Sequence, residues 1–204
     1  KDLGCHTGTI SDAFLELYQA GKLTNAHKEL DTGLSAWNLA MGSQELYDWL
    51  DAEPQLFHPG DLDYIHSVER ISKLSNVISI NGGVQLDLMG QENAESTGTR
   101  QLSGVGGQMD FLEGAYRSKG GKGFICINSS RVTKDGERKS NILATIPGGS
   151  TISAPRTMIQ YVATEYGIAS LSGKTLRERA EAMASIAHPD FREELMKYAR
   201  ENFK

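Results

Sequence analysis

A glycine-rich turn that runs directly into a predicted helix is the strongest candidate for chemistry in this sequence. It spans Gly104–Gln108, and the residue pattern that follows predicts a helix from Met109 to Tyr116. Such a turn exposes successive backbone N–H groups, and the helix dipole adds partial positive charge at the same place. It suits an oxyanion, a phosphate or a polarised carbonyl oxygen. Its spacing differs from the dinucleotide-binding fingerprint, and an ordinary structural turn explains the same residues.

A second glycine turn carries two lysines. It reads Ser118-Lys119-Gly120-Gly121-Lys122, and lysine ammonium groups on a flexible turn suit a phosphate or the pyrophosphate of CoA. A solvated loop is the alternative. The Walker pattern is absent from the sequence, so ATP hydrolysis on a P-loop is not supported.

The other polar residues give weaker signals. No G-x-S-x-G elbow of a serine hydrolase is present. Glu165 follows a predicted strand and could serve in acid–base chemistry, although pairing with a nearby arginine is the favoured interpretation. The five histidines have no ligand spacing, which is typical of capping or surface groups, and we predict no metal site. They are His6, His27, His58, His66 and His188.

Caps and apolar spacing predict the helices that flank these turns. Thr175 and Glu178 form a capping box, and His188 beside Pro189 reads as a helix junction. The predicted helices run from Ser11 to Gly21 with Phe14, Leu17 and Tyr18 inward, from Gln44 to Asp51 after a cap at Ser43, from Leu176 to Ala187, and onward from Pro189.

The middle of the chain is predicted to form strands. Two short strands are predicted on either side of the glycine turn at Gly82-Gly83. With helices at both ends, this order predicts an α/β domain with a mixed sheet covered by helices. The predicted strands are Val77–Ile80, Val84–Leu88, Phe124–Ile127, Ile142–Ile146 and Ile159–Ala163.

Composition narrows the class of protein. The chain has 204 residues, 39% of them apolar, and a formal net charge of −5, as expected of one domain or two small ones in a soluble globular protein. The acidic balance argues against nucleic-acid binding. No apolar run approaches the roughly 18–20 residues of a membrane span. Two cysteines, Cys5 and Cys126, are too few for a disulfide framework or a zinc site and predict a cytoplasmic location.

Taken together, the motifs resemble the C-terminal half of the acetyl-CoA hydrolase/transferase family, which includes 4-hydroxybutyrate and butyryl/propionyl-CoA:acetate CoA-transferases. The resemblance covers nearly the whole chain, in family order and with family-like spacing. It implies one CoA-transferase-like α/β domain over residues 1–204, without the N-terminal half of the family's polypeptide. The matching stretches are His6-Thr7 with Ser11-Asp12, Met89–Gln91, Ser103–Phe111, Ser118–Lys122, Val162–Gly167, and Gly173-Lys174 through His188–Arg192.

The resemblance also implies a mechanism. In that family a glutamate carboxylate attacks acyl-CoA to give a mixed anhydride, CoA then forms a glutamyl thioester, and a second acid takes the CoA. The family's glutamate follows a His-Thr pair, and the corresponding residue here is Gly8. The ligands implied are an acyl-CoA, with CoA as substrate and product, and a small carboxylate, without a metal. The CoA-binding residues implied are Gly83, Gly106, Gly107, Lys119 and Lys122.

Other departures from the family accompany Gly8. The stretch 140–144 differs from the family's Ser-Arg-Ile-Val-Pro, and an expected Asp and His are Met158 and Gln160. We therefore keep three interpretations: altered chemistry on a CoA-binding relative, a subunit completed by another polypeptide, or an engineered nucleophile-free form.

Acyl-CoA hydrolysis and non-catalytic CoA binding or assembly are the alternatives to CoA transfer. The expected partners are the missing N-terminal half or a second subunit, and a second copy in a homodimer. Substitute carboxylates by residue type are Glu92, Glu95 and Glu165.

Overall fold

The computed structural model describes residues 1–203. They form two compact units. The first unit comprises Lys1–Val77 and Glu113–Gly121, and the second comprises Ile78–Leu112 and the residues from Lys122 onward. One helix, α5 (Gln108–Arg117), contributes to both units. Within residues 1–203, no helix is long and apolar enough to cross a lipid bilayer.

The first unit is built on a parallel three-stranded sheet that the sequence analysis did not predict. The strand order is β1-β2-β3, with His6 of β1 opposite Ala36 and Ser35 of β2 opposite Phe57. Leu15, which was not predicted to face inward, is the buried residue of α1. Of the predicted inward face, Phe14 packs against the same buried cluster, Leu17 is half-buried, and Tyr18 is exposed with its ring 4.9 Å from that of Trp49. Its elements are β1 (His6–Ile10), α1 (Asp12–Gln19), β2 (Ser35–Ala40), α2 (Gln44–Ala52), a 3-10 turn (Pro54–Leu56), β3 (Phe57–Pro59), α3 (Leu62–Ile65) and α4 (Val68–Lys73).

The second unit contains the predicted mixed sheet. Its strand order is β14-β13-β9-β4, in which β4, β9 and β13 are parallel and β14 is antiparallel to β13. One face of this sheet packs in a common core with α6 and α7, through Ile125, Val162 and Ala169. The elements are β4 (Ile78–Gly82), β9 (Lys122–Cys126), β13 (Tyr161–Thr164), β14 (Gly167–Ser170), α6 (Leu176–Ser185) and α7 (Pro189–Asn202).

A smaller three-stranded sheet in the second unit has the order β12-β5-β6. The predicted strands on either side of Gly82-Gly83 both form, but they do not pair with each other. The chain instead leaves the large sheet at the end of β4 and enters the small one at β5, where Leu86 lies opposite Ile142. The remaining strands are β5 (Gln85–Asp87), β6 (Glu92–Asn93), β7 (Ser96–Thr97), β8 (Arg100–Gln101), β10 (Ser130–Val132), β11 (Arg138–Ser140) and β12 (Ile142–Leu143).

The other face of the large sheet is open. Ile80 is 68% exposed, and Ile78 and Ile168 are also exposed at more than half of their surface. The strand register aligns Ile80 with Phe124 and Phe124 with Tyr161, whose rings stack with their centroids 4.8 Å apart. The second unit therefore presents an apolar stripe on one side of its sheet.

A buried arginine joins the parts of the second unit. Arg179 on α6 donates from Nε to the Met89 carbonyl at 2.8 Å, from Nη1 to the Leu171 carbonyl at 2.8 Å and from Nη2 to the Arg156 carbonyl at 2.7 Å. Gly90 makes room for it: a Cβ on Gly90 would lie 2.7 Å from Nη2, and the residue has φ +85°. Burial lowers the pKa of Arg179 below its usual value.

Local caps explain why the predicted helices begin where they do. The Thr175 hydroxyl accepts from the Glu178 backbone N–H, and the Glu178 carboxylate accepts from the Thr175 N–H at 2.8 Å, which confirms the capping box. Ser43 likewise caps α2. Ser11 occupies the same position in α1, but its side chain makes no capping hydrogen bond.

The difference between Thr175, whose side chain caps its helix, and Ser11, whose side chain does not, can be tested by measuring stability. Thr175→Ala removes a working cap and is expected to lower the free energy of unfolding by about 1 kcal/mol. Ser11→Ala is the matched control and should cost only a few tenths of a kcal/mol, because no capping bond is lost. Urea unfolding followed by circular dichroism measures both values, and equal losses would contradict the assignment of the caps.

Candidate functional site

The glycine turn of the sequence analysis lies at the start of α5. Gly106 has φ +61°, a backbone conformation that favours glycine, and a Cβ added there would meet no atom within 4 Å. Residues 103–106 are exposed, and the carbonyl of Gly107 accepts from the Phe111 N–H at 3.1 Å, so the turn passes directly into the helix. The turn is thus open to a ligand at the positive end of a ten-residue helix.

Two anchors hold this turn on either side. Before it, the Glu95 carbonyl accepts from the N–H groups of Leu102 at 2.7 Å and Ser103 at 3.4 Å. After it, the side-chain amide of Gln108 donates to Oε2 of Glu92. Both anchors belong to the short segment from Glu92 to Glu95, which begins in β6 of the small sheet, so this segment holds both ends of the glycine turn.

Glu92 is a fully buried carboxyl group. Its side chain is 0% exposed, and its Oε1 has no hydrogen-bond partner among the described residues. Burial raises the pKa of Glu92 to about 7, and the hydrogen bond from Gln108 opposes this only in part. Near neutral pH the group is therefore divided between a neutral acid and a buried anion.

Gly83 leaves the space that this carboxyl group occupies. A Cβ on Gly83 would lie 2.7 Å from Oε1 of Glu92 and 3.2 Å from Cγ2 of Ile125. The family resemblance implies a CoA-binding role for Gly83, which stays a prediction. The structure provides a different reason for its small size, because any side chain here would overlap the Glu92 carboxyl group.

Gly83 also lines an open cleft of about 430 Å³ at the carboxyl ends of β4, β9 and β13. The carboxyl edge of parallel strands is the usual ligand site in α/β sheets. Glu165, at this edge, accepts hydrogen bonds from the Ser129 N–H at 2.9 Å and the Ser129 hydroxyl at 2.7 Å. The expected pairing of Glu165 with an arginine is therefore wrong. The cleft is lined by Gly83, Cys126, Ile127, Asn128, Ala163, Thr164 and Glu165.

Burial and hydrogen bonding shift the pKa of Glu165 in opposite directions. Burial alone would raise the pKa of the carboxyl group, but the two bonds from Ser129 stabilise the anion and bring the net pKa below its usual value. Glu165 therefore carries a negative charge at neutral pH.

Gly8 lies in β1, in the first unit. It shares a strand face with His6 and Ile10, because alternate residues of a strand point to the same side. Ile10 is buried, and Nε2 of His6 donates to the Ile65 carbonyl at 2.8 Å. Burial lowers the pKa of His6, so the imidazole is neutral near pH 7.

The lysine turn follows the C-terminal end of α5, where the helix dipole is negative and does not favour a phosphate. Lys119 and Lys122 are exposed. The Lys119 carbonyl accepts from the Asn76 N–H at 2.8 Å, and a Cβ on Gly121 would overlap the Ala115 carbonyl. Packing therefore accounts for Gly121, and the role of the two lysines in CoA binding stays a prediction.

The remaining candidate residues have structural partners. His188 caps α7 by accepting from the Asp190 N–H at 3.3 Å, as the helix junction predicted. His58 bonds to Asp31 at 2.9 Å. Cys5 is buried, and burial raises the pKa of its thiol to about 12, whereas Cys126 is exposed in the cleft. Among residues 1–203 we find no group of three or more His, Cys, Asp or Glu side chains placed to hold a metal ion.

Comparison with known proteins finds one matching family model and several similar proteins. The family model described as the acetyl-CoA hydrolase/transferase C-terminal domain matches residues 42–199. The chain is 44% identical over 199 residues to the butyryl-CoA:acetate CoA-transferase of Anaerostipes caccae, covering 98% of this chain and 44% of that protein. It is 44% identical over 203 residues to the 4-hydroxybutyrate coenzyme A transferase of Clostridium kluyveri, covering 100% and 46%.

A solved structure is also similar. The crystal structure of RipA from Yersinia pestis aligns with a TM-score of 0.88 at 38% identity, over 98% of this chain and 44% of RipA. The chain thus spans about half the length of the relatives that it matches. Gly8 lies outside the matched span 42–199, so its correspondence to the family's glutamate stays a prediction.

The contact between Gly83 and Glu92 can be tested by a double-mutant cycle. Gly83→Ala is expected to lower the free energy of unfolding by about 1–3 kcal/mol, because its Cβ overlaps a buried carboxyl group. In the Glu92→Ala background the same change should cost far less, which gives a coupling energy of about 1 kcal/mol or more. Urea unfolding measures all four proteins.

The neighbouring glycine supplies the control. A Cβ on Gly82 would meet no atom within 4 Å, so Gly82→Ala should have little effect in either background. An equal cost of Gly83→Ala with and without the Glu92 carboxyl group would show that something else requires glycine at this position.

Proposed function

Because the chain belongs to the acetyl-CoA hydrolase/transferase family, we propose that it is the C-terminal part of a CoA-transferase that moves CoA between an acyl-CoA and a small carboxylate. The substrates belong to the 4-hydroxybutyrate, butyrate and acetate class. The names of two relatives support this choice, since both are CoA-transferases for short-chain acids and are 44% identical to the chain.

The observation that carries the proposal is the exposed glycine turn at the start of α5. In acyl transfer, negative charge develops on the carbonyl oxygen of the thioester as a nucleophile attacks its carbon. Backbone N–H groups at Gly106 and Gly107 would stabilise that oxygen, and the helix dipole adds to the effect. The open space at Gly106 leaves room for the thioester.

The nucleophile is the part of the mechanism in which this chain departs from its family. In the proposed reaction a carboxylate attacks the acyl carbon, CoA leaves as the thiolate, and the thiolate then attacks the carboxyl carbon of the anhydride. The free acid departs, and a second carboxylate reverses the sequence to take the CoA. In this proposal Gly8 on β1 occupies the position of the family's glutamate, so this chain lacks that carboxylate.

Gly8 also supports a second candidate function, which is CoA binding without transfer. A CoA-binding protein without transfer activity needs the glycine turn but not the nucleophile. Gly8 favours this alternative, and measurements of binding and turnover on one protein separate it from CoA transfer.

The open face of the large sheet supports the proposed partner. Ile78, Ile80 and Ile168 are exposed beside the stacked rings of Phe124 and Tyr161. An apolar stripe of this kind on a sheet is typical of a surface that another domain or subunit covers. In this proposal the partner is the N-terminal half of the enzyme, on the same polypeptide or on a separate subunit, and the complete enzyme forms a homodimer.

CoA binding at the glycine turn can be tested with Gly106→Val. The β-branched side chain opposes φ +61° and covers the N–H groups, so we expect acetyl-CoA affinity to fall by tenfold or more, about 1.4 kcal/mol. The melting temperature should fall by only about a few degrees, because the backbone strain is confined to an exposed turn and no packing is lost. Calorimetry measures the affinity. Gly104→Val is the control, since a Cβ at Gly104 also meets open space. Unchanged affinity in Gly106→Val would exclude the turn from the binding site.

The missing nucleophile can be tested by restoring it. In the full protein that contains this chain, transferase activity should be low, and borohydride should not inactivate the protein after incubation with acyl-CoA. Gly8→Glu is expected to raise activity by several powers of ten, because positioned groups act at effective molarities of up to about 10⁵–10⁸ M.

Gly8→Gln is the matched control, because it adds the same bulk without a carboxylate and should stay inactive. Transfer by the unchanged Gly8 protein at an ordinary rate of about 1–10³ s⁻¹ would mean that another residue is the nucleophile.

A further inference from the structure

The carboxyl group of Glu92 is joined to the glycine turn by a single side chain. Gln108 is the first residue of α5 and follows Gly106-Gly107 directly, so its position and that of the turn are linked. Its amide donates to Oε2 of Glu92. The backbone of Glu92 is itself fixed, because its N–H donates to the Ala154 carbonyl at 3.0 Å and its carbonyl accepts from the Ser153 N–H at 2.8 Å.

The turn has few other supports. Residues 101–106 are all exposed, so little packing holds them. The anchor before the turn consists of two backbone bonds to the Glu95 carbonyl and a bond from the Gln101 side-chain amide to the Ser103 carbonyl at 2.8 Å. The anchor after the turn includes the Glu92–Gln108 bond. Loss of this bond therefore leaves the N–H groups of Gly106 and Gly107 attached mainly through the helix.

We propose that Glu92 is a positioning residue, which acts through Gln108 to hold the glycine turn in the conformation that receives an acyl-CoA oxygen. The assignment of the ligand rests on the proposed function; the positioning itself does not. Glu92 is not the nucleophile in this proposal, because its carboxyl group is fully buried beneath Gly83.

The environment of Glu92 makes this anchor sensitive to pH. Around its carboxyl group lie the backbone of Gly83 after β4, the side-chain amide of Gln108 of α5, and Ile125 of β9, which borders the same space at Gly83. Its backbone bonds to Ser153 and Ala154. None of these groups is charged or titratable, so no cation compensates the anion, and the pKa of Glu92 rises to about 7. Ionisation places a negative charge one side chain away from the turn whose N–H groups receive the partly negative oxygen of the thioester carbonyl.

Ionisation of Glu92 is expected to weaken acyl-CoA binding. Below pH 7 the carboxyl group is neutral and holds Gln108 without opposing the ligand. Above pH 7 the buried anion opposes the partial negative charge of the thioester carbonyl oxygen in a medium of low dielectric constant. Acyl-CoA affinity should therefore fall as the pH rises from 6 to 8, by about tenfold, and Glu92→Gln should remove this dependence while keeping the high affinity at pH 8.

Hydrogen exchange tests the positioning role without any ligand. In the full protein that contains this chain, peptides covering residues 103–112 should exchange about tenfold faster in Glu92→Ala and in Gln108→Leu, because each removes the anchoring hydrogen bond. Glu92→Gln retains an acceptor and should keep the slow exchange. Peptides from α6 and α7 report whether the fold is intact. Glu137→Gln, which neutralises an exposed carboxylate in the turn between β10 and β11, is the control for charge alone.

Calorimetric titration with acetyl-CoA at pH 6, 7 and 8 then tests the effect on the ligand. Faster exchange in Glu92→Ala and Gln108→Leu, with the pH dependence of affinity lost in Glu92→Gln, supports the proposal. Unchanged exchange in both variants overturns it, as does the same pH dependence in Glu92→Gln and in the unchanged protein.

Two further outcomes separate this proposal from the proposed function. If the unchanged protein does not bind acetyl-CoA but the exchange results hold, the positioning role is supported and the CoA-transferase proposal fails. If borohydride trapping after incubation with acyl-CoA modifies Glu92, as located by peptide mass spectrometry, Glu92 is a catalytic nucleophile and the positioning proposal is overturned.

Discussion

The second unit depends on the satisfaction of one buried guanidinium group by backbone carbonyls. A buried charge is costly unless its hydrogen bonds are made, and Arg179 meets this requirement with three carbonyls from three separate segments. Those segments cannot move apart without exposing the charge to an apolar interior. One of them is the turn at Met89, three residues before Glu92, so the same constraint fixes the strand that supports the glycine turn.

The candidate site combines two kinds of polar group. The glycine turn provides backbone N–H groups in an exposed position, and Glu92 provides a carboxyl group in a buried one. Gln108 connects them. Rigid support from beneath and an open surface above are the arrangement that preorganised sites require, because donors must already point at the place where charge develops.

The parts of the fold that follow local rules could be predicted from the sequence. The capping box at Thr175, the cap at Ser43 and the helix after Gly107 depend on neighbours within four residues, and all three are present. The strands β1 to β3 were missed because their short segments do not alternate apolar and polar residues, and their pairing is between distant parts of the chain.

The candidate site also depends on contacts between distant segments, which the sequence does not reveal. Glu92 was recognised only as a carboxylate of suitable type, because its burial and its bond to Gln108 arise from contacts between separate segments. The family resemblance implied CoA binding at Gly83, and only the position of the Glu92 carboxyl group reveals a structural reason for the small size of this residue. Residue type suggested the chemistry, whereas tertiary packing determines which carboxyl group supports the turn.

The two cysteines differ in a way that has a practical consequence. Cys5 is buried with a thiol pKa of about 12, whereas Cys126 is exposed at the carboxyl end of β9, in the cleft that Gly83 and Glu165 also line. Maleimide reagents react with the accessible thiolate. Within these 204 residues a single thiol is therefore open to labelling, and a fluorophore attached to it would sit inside the cleft. Burial also raises the pKa of Cys126, so the reaction is faster at alkaline pH.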